Sequence, residues 1–244
     1  MGISVPGGFV VAIDGPSGSG KSSASRGVAR ALGLRYLDTG AMYRALTWWL
    51  MSHDYDTKDG RHVASLAAQP VIEVSTDPDD LWTRVDGTDV SREIRTREVS
   101  AQVSVVARVP EVRQHLIGLQ RGIIKAAAPG IVAEGRDIGT VVAPDAQLKV
   151  YLTADSQARA ERRAAEQGAE VNVTEADQAR RDRLDAAQSA KADDAVLINA
   201  TDLSLPAVID AIARLAREAA PLTCVSGARG ISSASWQSAG ESGK

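Results

Sequence analysis

Short apolar runs alternate along the chain with longer stretches in which apolar residues recur at helical spacing. The short runs are bounded by glycine and polar residues, which predicts buried strands, and the longer stretches predict helices. The predicted core strands lie at residues 10–13, 34–37, 131–134, 147–152 and 195–198. Strands that alternate with helices indicate an α/β fold, a parallel sheet with helices on both faces.

A different pattern interrupts this alternation from about residue 54 to residue 92. Short alternating runs at residues 71–75, 81–85 and 88–90 are typical of antiparallel strands, and Asp86-Gly87 is a hairpin turn signal. Helical spacing resumes at residues 94–106 and 110–127. We therefore predict an inserted subdomain at about residues 54–127, with a small antiparallel sheet, between core segments at 8–53 and 128–156.

Arginines cluster in the segment that follows the fourth core strand. They stand on two predicted helices joined by a polar connection at residues 168–177: Arg159, Arg162, Arg163, Arg180, Arg181 and Arg183. Two arginine-bearing helices joined by a polar connection predict a helical lid at about residues 157–193, which could bring positive charge over a bound substrate while water is shut out. The core resumes at residues 194–220, and the Ser/Gly-rich residues 221–244 predict a disordered tail.

Composition limits the class of protein. The chain has 244 residues, 44% hydrophobic and 24% charged, which suits one α/β domain with an insert. The net charge of −3 argues against nucleic-acid binding, which normally needs a basic face. No apolar run is long enough for a membrane helix, and residues 1–8 lack the features of a signal peptide. We therefore expect a cytoplasmic monomer without a membrane or nucleic-acid partner.

Cysteine and histidine carry little chemistry in this sequence. The single cysteine, Cys224, excludes an internal disulfide. The three histidines, His53, His62 and His115, lack the spacing of metal ligands.

Residues 10–22 read VVAIDGPSGSGKS and fit the phosphate-loop pattern G-x-x-x-x-G-K-[ST], with a strand before and a helix after. Glycines there let the backbone approach a polyphosphate, whose charge meets free N–H groups and the positive end of the helix. Lys21 is predicted to reach the outer phosphates, and the Ser22 hydroxyl to ligate Mg²⁺. The predicted ATP-phosphate site comprises Gly15, Pro16, Ser17, Gly18, Ser19, Gly20, Lys21, Ser22 and Ser23.

Polar residues follow two other core strands, at the edge where parallel strands present ligand sites. They are Thr39, Tyr43 and Arg44 after the second strand, and Glu134, Arg136 and Asp137 at or after the third. Glu134 ends a buried strand as a Walker B acid does, so it is predicted to hold a water on Mg²⁺ or to orient the loop.

Several stretches together resemble bacterial cytidylate kinases over about residues 8–218. Besides the phosphate loop they are LDTGAMYR at residues 37–44, IRTREV at 94–99, VPEVR at 109–113 and EGRDIGT at 134–140. The resemblance implies a P-loop kinase fold. It also implies transfer of the γ-phosphoryl group of ATP to CMP or dCMP, with Mg²⁺.

The resemblance further implies roles for individual residues. Those that would read the cytosine edge are Ser104, Arg113 and Asp137. Those at the CMP phosphate would be Arg44 and Arg136, with Thr39 and Tyr43 lining the pocket, and those at the sugar Arg181 and Asp185. The lid would contribute Arg159, Arg162 and Arg163. The residues expected to act in catalysis are Lys21, Arg44, Arg136, Arg159 and Arg163.

The chain departs from the family pattern after Asp185. Gln188 stands where the family has an arginine, and the segment is shorter. Lys191 or Arg183 is one hypothesis for a replacement cation. A catalytically impaired ATP-binding P-loop protein and a UMP/CMP-type kinase therefore stay open as alternatives. A GTPase switch is disfavoured, because no Asn-Lys-x-Asp guanine motif occurs.

Overall fold

The computed structural model describes residues 8–167, 179–180 and 182–220. Its central strands are β1 (Phe9–Asp14), β2 (Arg35–Asp38), β6 (Gly130–Gly135), β7 (Leu148–Thr153) and β8 (Val196–Asn199). All pairings are parallel, in the order β2-β6-β1-β7-β8. Five of the six residues of β1 are buried, as expected for a strand in the middle of a parallel sheet.

Helices cover both faces of this sheet. The helices of the described residues include α1 (Lys21–Leu32), α2 (Thr39–Ser52), α3 (Gly60–Leu66), α4 (Arg97–Val106), α5 (Pro110–Ala126), α6 (Ser156–Gln167) and α7 (Leu205–Ala219). Of these, α1, α2, α5 and α7 contact strands of this sheet. Alternating strand residues supply two apolar clusters. Tyr36 and Val132 pack with α1 and α7, whereas Leu37 and Ala133 pack with α2 and α5. The predicted α/β class with a parallel sheet is confirmed.

A second, smaller sheet lies between α3 and α4 in the chain. It consists of β3 (Ile72–Val74), β4 (Thr83–Val85) and β5 (Thr88–Asp89), all antiparallel. Asp86 and Gly87 both have positive φ, 50° and 79°, which matches the hairpin turn expected from Asp-Gly. The predicted small antiparallel sheet is thus confirmed.

Helix starts differ from the sequence prediction where a polar side chain caps them. The Asp38 carboxylate accepts from the Ala41 backbone N–H, and α2 begins at Thr39. Thr96 caps α4 in extended backbone geometry, so the predicted helix 94–106 divides into a 3₁₀ turn, Glu93–Arg95, and α4. Helix α3, capped by Asp59, was not predicted, because its seven residues are too short to show a clear period.

In the part of the chain that the structure describes, no helix has the length and apolarity needed to cross a membrane. The predicted tail, 221–244, lies outside the described residues, as do residues 168–178 and Arg181 of the predicted lid.

Candidate functional site

One cleft runs along the carboxyl edge of the sheet, between the β1–α1 loop and helices α2, α4 and α5. On its floor lie residues of the phosphate loop together with the carboxyl ends of β2 and β6. The lining residues that the sequence predicted are Ser17, Gly18, Gly20, Lys21, Ser22, Ser23, Thr39, Tyr43, Arg44, Ser104, Arg113, Glu134, Arg136, Asp137 and Asp185.

The β1–α1 loop presents the start of α1 to this cleft. Gly20, the N-cap residue, is left-handed (φ 90°), and no side chain caps the helix. The first-turn N–H groups and the positive end of α1 therefore point to a place suited to an anion. Lys21 Nζ donates to the Pro16 carbonyl at 2.7 Å across the loop. The buried Ser19 hydroxyl has no hydrogen-bond partner among the described residues.

Asp14, at the end of β1, fixes the loop that follows β6. Its two carboxylate oxygens accept from the backbone N–H groups of Ile138 and Gly139, both at 2.8 Å. Burial raises the pKa of Asp14, although these two hydrogen bonds act in the opposite direction. The backbone there forms a single π-helical turn, Ile138–Val142. This anchoring holds Arg136 and Asp137 next to the phosphate loop.

Glu134 is a buried carboxyl group at the floor of the cleft. The Tyr36 hydroxyl donates to Glu134 Oε1 at 2.6 Å. Burial and, to a smaller extent, the charge of Asp38 raise the pKa of Glu134 to about 7, against the opposing effects of Lys21 and of hydrogen bonds from Tyr36 and Ser22. Burial and the neighbouring Glu134 likewise raise the pKa of Tyr36 well above its ordinary value.

These groups fit a magnesium ion that is bound largely through nucleotide phosphates and water. The Ser22 hydroxyl and the Glu134 carboxyl are hard oxygen ligands side by side. Among the described residues there is no group of three or more carboxylate, histidine or cysteine side chains that could enclose a metal. Mg²⁺ is usually bound in this open way rather than in an all-protein cage.

The free energy of unfolding of the nucleotide-free protein is expected to contain a contribution from Glu134 that falls as pH rises from about 4.5 to about 7. In this range the folded protein retains the Glu134 proton while the unfolded chain releases it, so rising pH favours the unfolded state. Urea denaturation of the wild type and Glu134→Gln across this range measures the effect. Equal pH slopes for the two proteins would contradict the shifted pKa.

The far wall of the cleft, opposite the phosphate loop, carries a pair of opposite charges. The Arg113 guanidinium donates to the Asp137 carboxylate and to Gln188 Oε1, the latter at 3.2 Å. Ser104 on α4 is buried beside this pair. Burial raises the pKa of Tyr43 to about 12, so its hydroxyl stays protonated as a donor. The wall thus offers a carboxylate, a guanidinium and hydroxyl groups together.

Three more arginines, Arg44 and Arg136 in the cleft and Arg159 on α6, donate to acceptors of the protein itself. Arg136 donates to the Gly15 carbonyl at 2.7 Å and pairs with Asp185 at 2.9 Å. Arg159 donates to the Ser17 carbonyl at 3.0 Å and pairs with Asp182 at 2.6 Å. Arg44 donates to the Ile94 carbonyl at 3.1 Å and to Ser100 Oγ at 2.8 Å.

Some residues that were predicted to act at the site contact other parts of the chain, and others lie outside the described residues. Arg162, expected in the lid, donates instead to the carbonyl oxygens of Ala200 and Thr201. Lys191 donates to the carbonyl oxygens of Ala192 and Ala195, so the structure does not turn it toward the cleft as a replacement cation. Arg181 and the side chain of Arg163 lie outside the described residues.

Comparison with known proteins gives the family. The family model described as cytidylate kinase matches residues 11–218. The chain belongs to the cytidylate kinase family.

Individual cytidylate kinases cover most of the chain. That of Streptomyces coelicolor is 52% identical over 214 residues, 86% of this chain and 93% of its own. That of Streptomyces avermitilis is 51% identical over the same length and shares of the two chains. That of Mycolicibacterium paratuberculosis is 46% identical over 219 residues, 86% of this chain and 95% of its own. These matches confirm the predicted family and enzyme class, and they do not favour the alternatives.

Among solved structures, a shikimate kinase from Bacteroides thetaiotaomicron is similar with a TM-score of 0.44 and 11% identity. The likeness covers 86% of this chain and 98% of that one. The score is too low to bear on the chemistry of this cytidylate kinase family member.

The sequence did not predict roles for five residues of the site: Asp14, Tyr36, Asp38, Arg95 and Asp182. Arg95 lines the cleft and donates to Asp38 Oδ2 at 3.2 Å. Asp14 and Asp38 each end a core strand, so their place at the ligand edge was a usable signal. Tyr36 carried none, because a tyrosine inside a strand normally indicates packing.

Proposed function

We propose that the protein transfers the γ-phosphoryl group of ATP to CMP or dCMP in the presence of Mg²⁺, releasing ADP and CDP or dCDP. The observation that carries this proposal is the single cleft shared by the phosphate loop and the Arg113–Asp137 pair. A donor phosphate at the start of α1 and a base at the far wall would meet within one cleft.

The far wall suits cytosine. The base presents an amino donor, a ring-nitrogen acceptor and a carbonyl acceptor along one edge. Asp137 can accept from the amino group, while Arg113 and Ser104 can donate to the two acceptors. Uracil presents a carbonyl oxygen in place of the amino group, which would face the Asp137 carboxylate. The proposed discrimination follows from this mismatch.

The acceptor phosphate is proposed to bind between Arg44 and Arg136, with Thr39 and Tyr43 lining its pocket. Both arginines line the cleft, Arg44 on α2 and Arg136 after β6. Asp185, which pairs with Arg136, is proposed to contact the sugar together with Arg181. When the acceptor phosphate displaces the Asp185 carboxylate from Arg136, that carboxylate becomes available to the sugar.

The donor base is proposed to lie on the other side of the phosphate loop. An apolar cavity there shares Ser19, Gly20 and Ser23 with the loop, and its remaining lining residues are Ala24, Leu152, Arg162, Ala200, Leu203, Leu205 and Val208. A purine ring would bury its faces against these aliphatic side chains. The triphosphate would then run from this cavity over the start of α1 toward the acceptor.

In the proposed mechanism the chain positions two anions and neutralises the charge between them. Lys21 contacts the outer donor phosphates, Arg44 and Arg136 hold the acceptor, and Arg159 with Arg163 closes over the transferring group. Mg²⁺, held through Ser22 and through a water on Glu134, would supply further positive charge at the phosphate oxygens. No general base is needed, because the acceptor phosphate is already an anion.

We propose separate roles for two segments of the chain. Residues 54–127 would form the acceptor-binding insert, since Ser104 and Arg113 stand on α4 and α5. Residues 157–193 would form the lid, since Arg159 and Asp182 lie over the phosphate loop. We further propose that the enzyme acts as a monomer in the cytoplasm.

Turnover is expected with CMP and dCMP. Turnover with UMP and AMP should be about 10- to 100-fold lower, since a buried charged contact left unpaired costs roughly 1.5 to 3 kcal/mol. ADP release with ATP, Mg²⁺ and each nucleotide in turn measures this. Asp137→Asn, whose side chain offers both a carbonyl oxygen and an amide N–H, should reduce the difference in turnover rate between CMP and UMP. ATP binding without turnover of any nucleotide would contradict the proposal and favour an impaired kinase.

A further inference from the structure

Tyr36 and Glu134 meet through the register of two neighbouring strands. Asp38 of β2 lies opposite Glu134 of β6, and Tyr36 lies opposite Val132. Because side chains alternate between faces, Tyr36, Asp38 and Glu134 share the face of the sheet that α1 covers. The Tyr36 side chain crosses diagonally to Glu134, two residues beyond Val132 on β6, and its hydroxyl donates to Glu134 Oε1 at 2.6 Å.

The contact between Tyr36 and Glu134 is buried and lies close to the phosphate loop. Tyr36 is 1% exposed and Glu134 is 3% exposed. Ser22 donates a hydrogen bond to the Glu134 carboxyl group, and the charge of Lys21 acts on it. The Glu134 carboxyl group is therefore held from two elements, by Tyr36 of β2 and by Ser22 at the start of α1.

We propose that Tyr36 is a positioning residue that fixes the orientation of Glu134 and thereby sets the affinity of the nucleotide-bound enzyme for its divalent cation. The inference rests on the proposed function, in which Glu134 holds a metal-bound water. Tyr36 itself contacts neither the cation nor a nucleotide in this proposal.

The physical reason is the cost of an unpaired acceptor in a buried place. Without the Tyr36 hydroxyl, Glu134 Oε1 loses its donor where water does not reach. The carboxyl group would then turn to Lys21 and Ser22, the donors already next to it. Both groups would be drawn away from the phosphates and the cation. Groups that orient metal-site residues from behind typically affect metal affinity by about 10- to 100-fold.

The test is Mn²⁺ binding followed by electron paramagnetic resonance, with a non-hydrolysable ATP analogue and no acceptor nucleotide. Tyr36→Phe keeps the ring and removes only the hydroxyl, and it is expected to weaken Mn²⁺ binding by about tenfold. The Mg²⁺ concentration for half-maximal turnover should rise by a similar factor, while kcat at saturating Mg²⁺ recovers. Unchanged Mn²⁺ binding would overturn the proposal. Tyr55→Phe, in the aromatic cluster beyond α2, is the matched control.

A double-mutant cycle separates positioning from packing. If Tyr36 acts through Glu134, Tyr36→Phe should have no further effect on Mn²⁺ affinity in a Glu134→Gln background. An equal loss in both backgrounds would show that Tyr36 acts by another route. If the phenylalanine variant does not fold, p-methylphenylalanine at position 36 fills the same space without a donor, and p-aminophenylalanine should restore binding.

This measurement stands apart from the choice of acceptor. Mn²⁺ binding with the ATP analogue involves no CMP, so a failure of the base-specificity experiment leaves it interpretable. Conversely, if the wild type phosphorylates CMP but the wild type and Tyr36→Phe bind Mn²⁺ equally well, the inference about Tyr36 is overturned and the proposed function stands.

Discussion

Replacing Lys21 with alanine is expected to lower kcat for phosphoryl transfer to CMP by about 10³-fold, the order found when one preorganised charge-stabilising donor is lost. Lys21 stands in the first turn of α1, with its ammonium group held at 2.7 Å from the Pro16 carbonyl across the loop. Its charge already acts on Asp14 and Glu134. The fixed cation would therefore face the donor phosphates without a reorganisation step. Initial rates of ADP release measure the loss.

The same variant should bind CMP almost as tightly as the wild type. CMP is proposed to contact the far wall and Arg44 and Arg136, so calorimetric CMP affinity separates a catalytic role from a general disturbance of the cleft. Lys125→Ala is the matched control, because this exposed lysine stands in the last turn of α5 and does not line the cleft. Retained turnover in Lys21→Ala would refute the assignment of Lys21.

Gly15→Ala is expected to destabilise the fold by about 4 kcal/mol or more, the range reached only by severe steric or core defects. Gly15 has φ 150°, and a Cβ there would lie 2.0 Å from the Leu152 carbonyl oxygen. Relief requires the backbones of β1 and β7 to separate at the carboxyl edge. The Gly15 carbonyl also accepts from Arg136, so the same shift would displace an arginine proposed to bind the acceptor. Urea denaturation measures the free energy of unfolding.

Gly33→Ala supplies the comparison for Gly15→Ala. Gly33 also has positive φ, 66°, but a Cβ there would meet no atom within 4 Å. Its cost should be only the roughly 1–2 kcal/mol of left-handed backbone. The difference between the two variants isolates the close approach to Leu152. Equal costs would show that the phosphate loop can move away from β7 without penalty.

The sequence allowed the positions of the phosphate loop and of the acid of β6 to be predicted because both stand at the carboxyl ends of buried apolar strands. A glycine-rich loop between a strand and a helix, and a carboxylate that ends a strand, have positions dictated by the sheet. The antiparallel hairpin around Asp86-Gly87 was predicted for a similar local reason, the turn chemistry. In each case a short stretch contains the whole signal.

What the sequence could not predict depends on contacts between distant segments. Arg162 stands at helical spacing from Arg159, yet the two side chains contact different parts of the chain, the β8–α7 loop and the phosphate loop. Tyr36 meets Glu134 only because β2 and β6 are neighbours, although 98 residues separate them. The π-helical turn after β6 depends on Asp14, which is 124 residues from Ile138 in sequence. Such pairings follow from strand order and register.

The ion pairs within the cleft bear on how the enzyme treats small anions. Arg113 and Arg136 each pair with a carboxylate of the protein, from Asp137 and Asp185. An incoming anion gains only the difference between its own contact and the one it displaces. Inorganic phosphate has no base or sugar with which to offset that exchange, whereas a whole nucleotide does. In the proposed acceptor site, these carboxylates would therefore compete with abundant inorganic ions for the arginines.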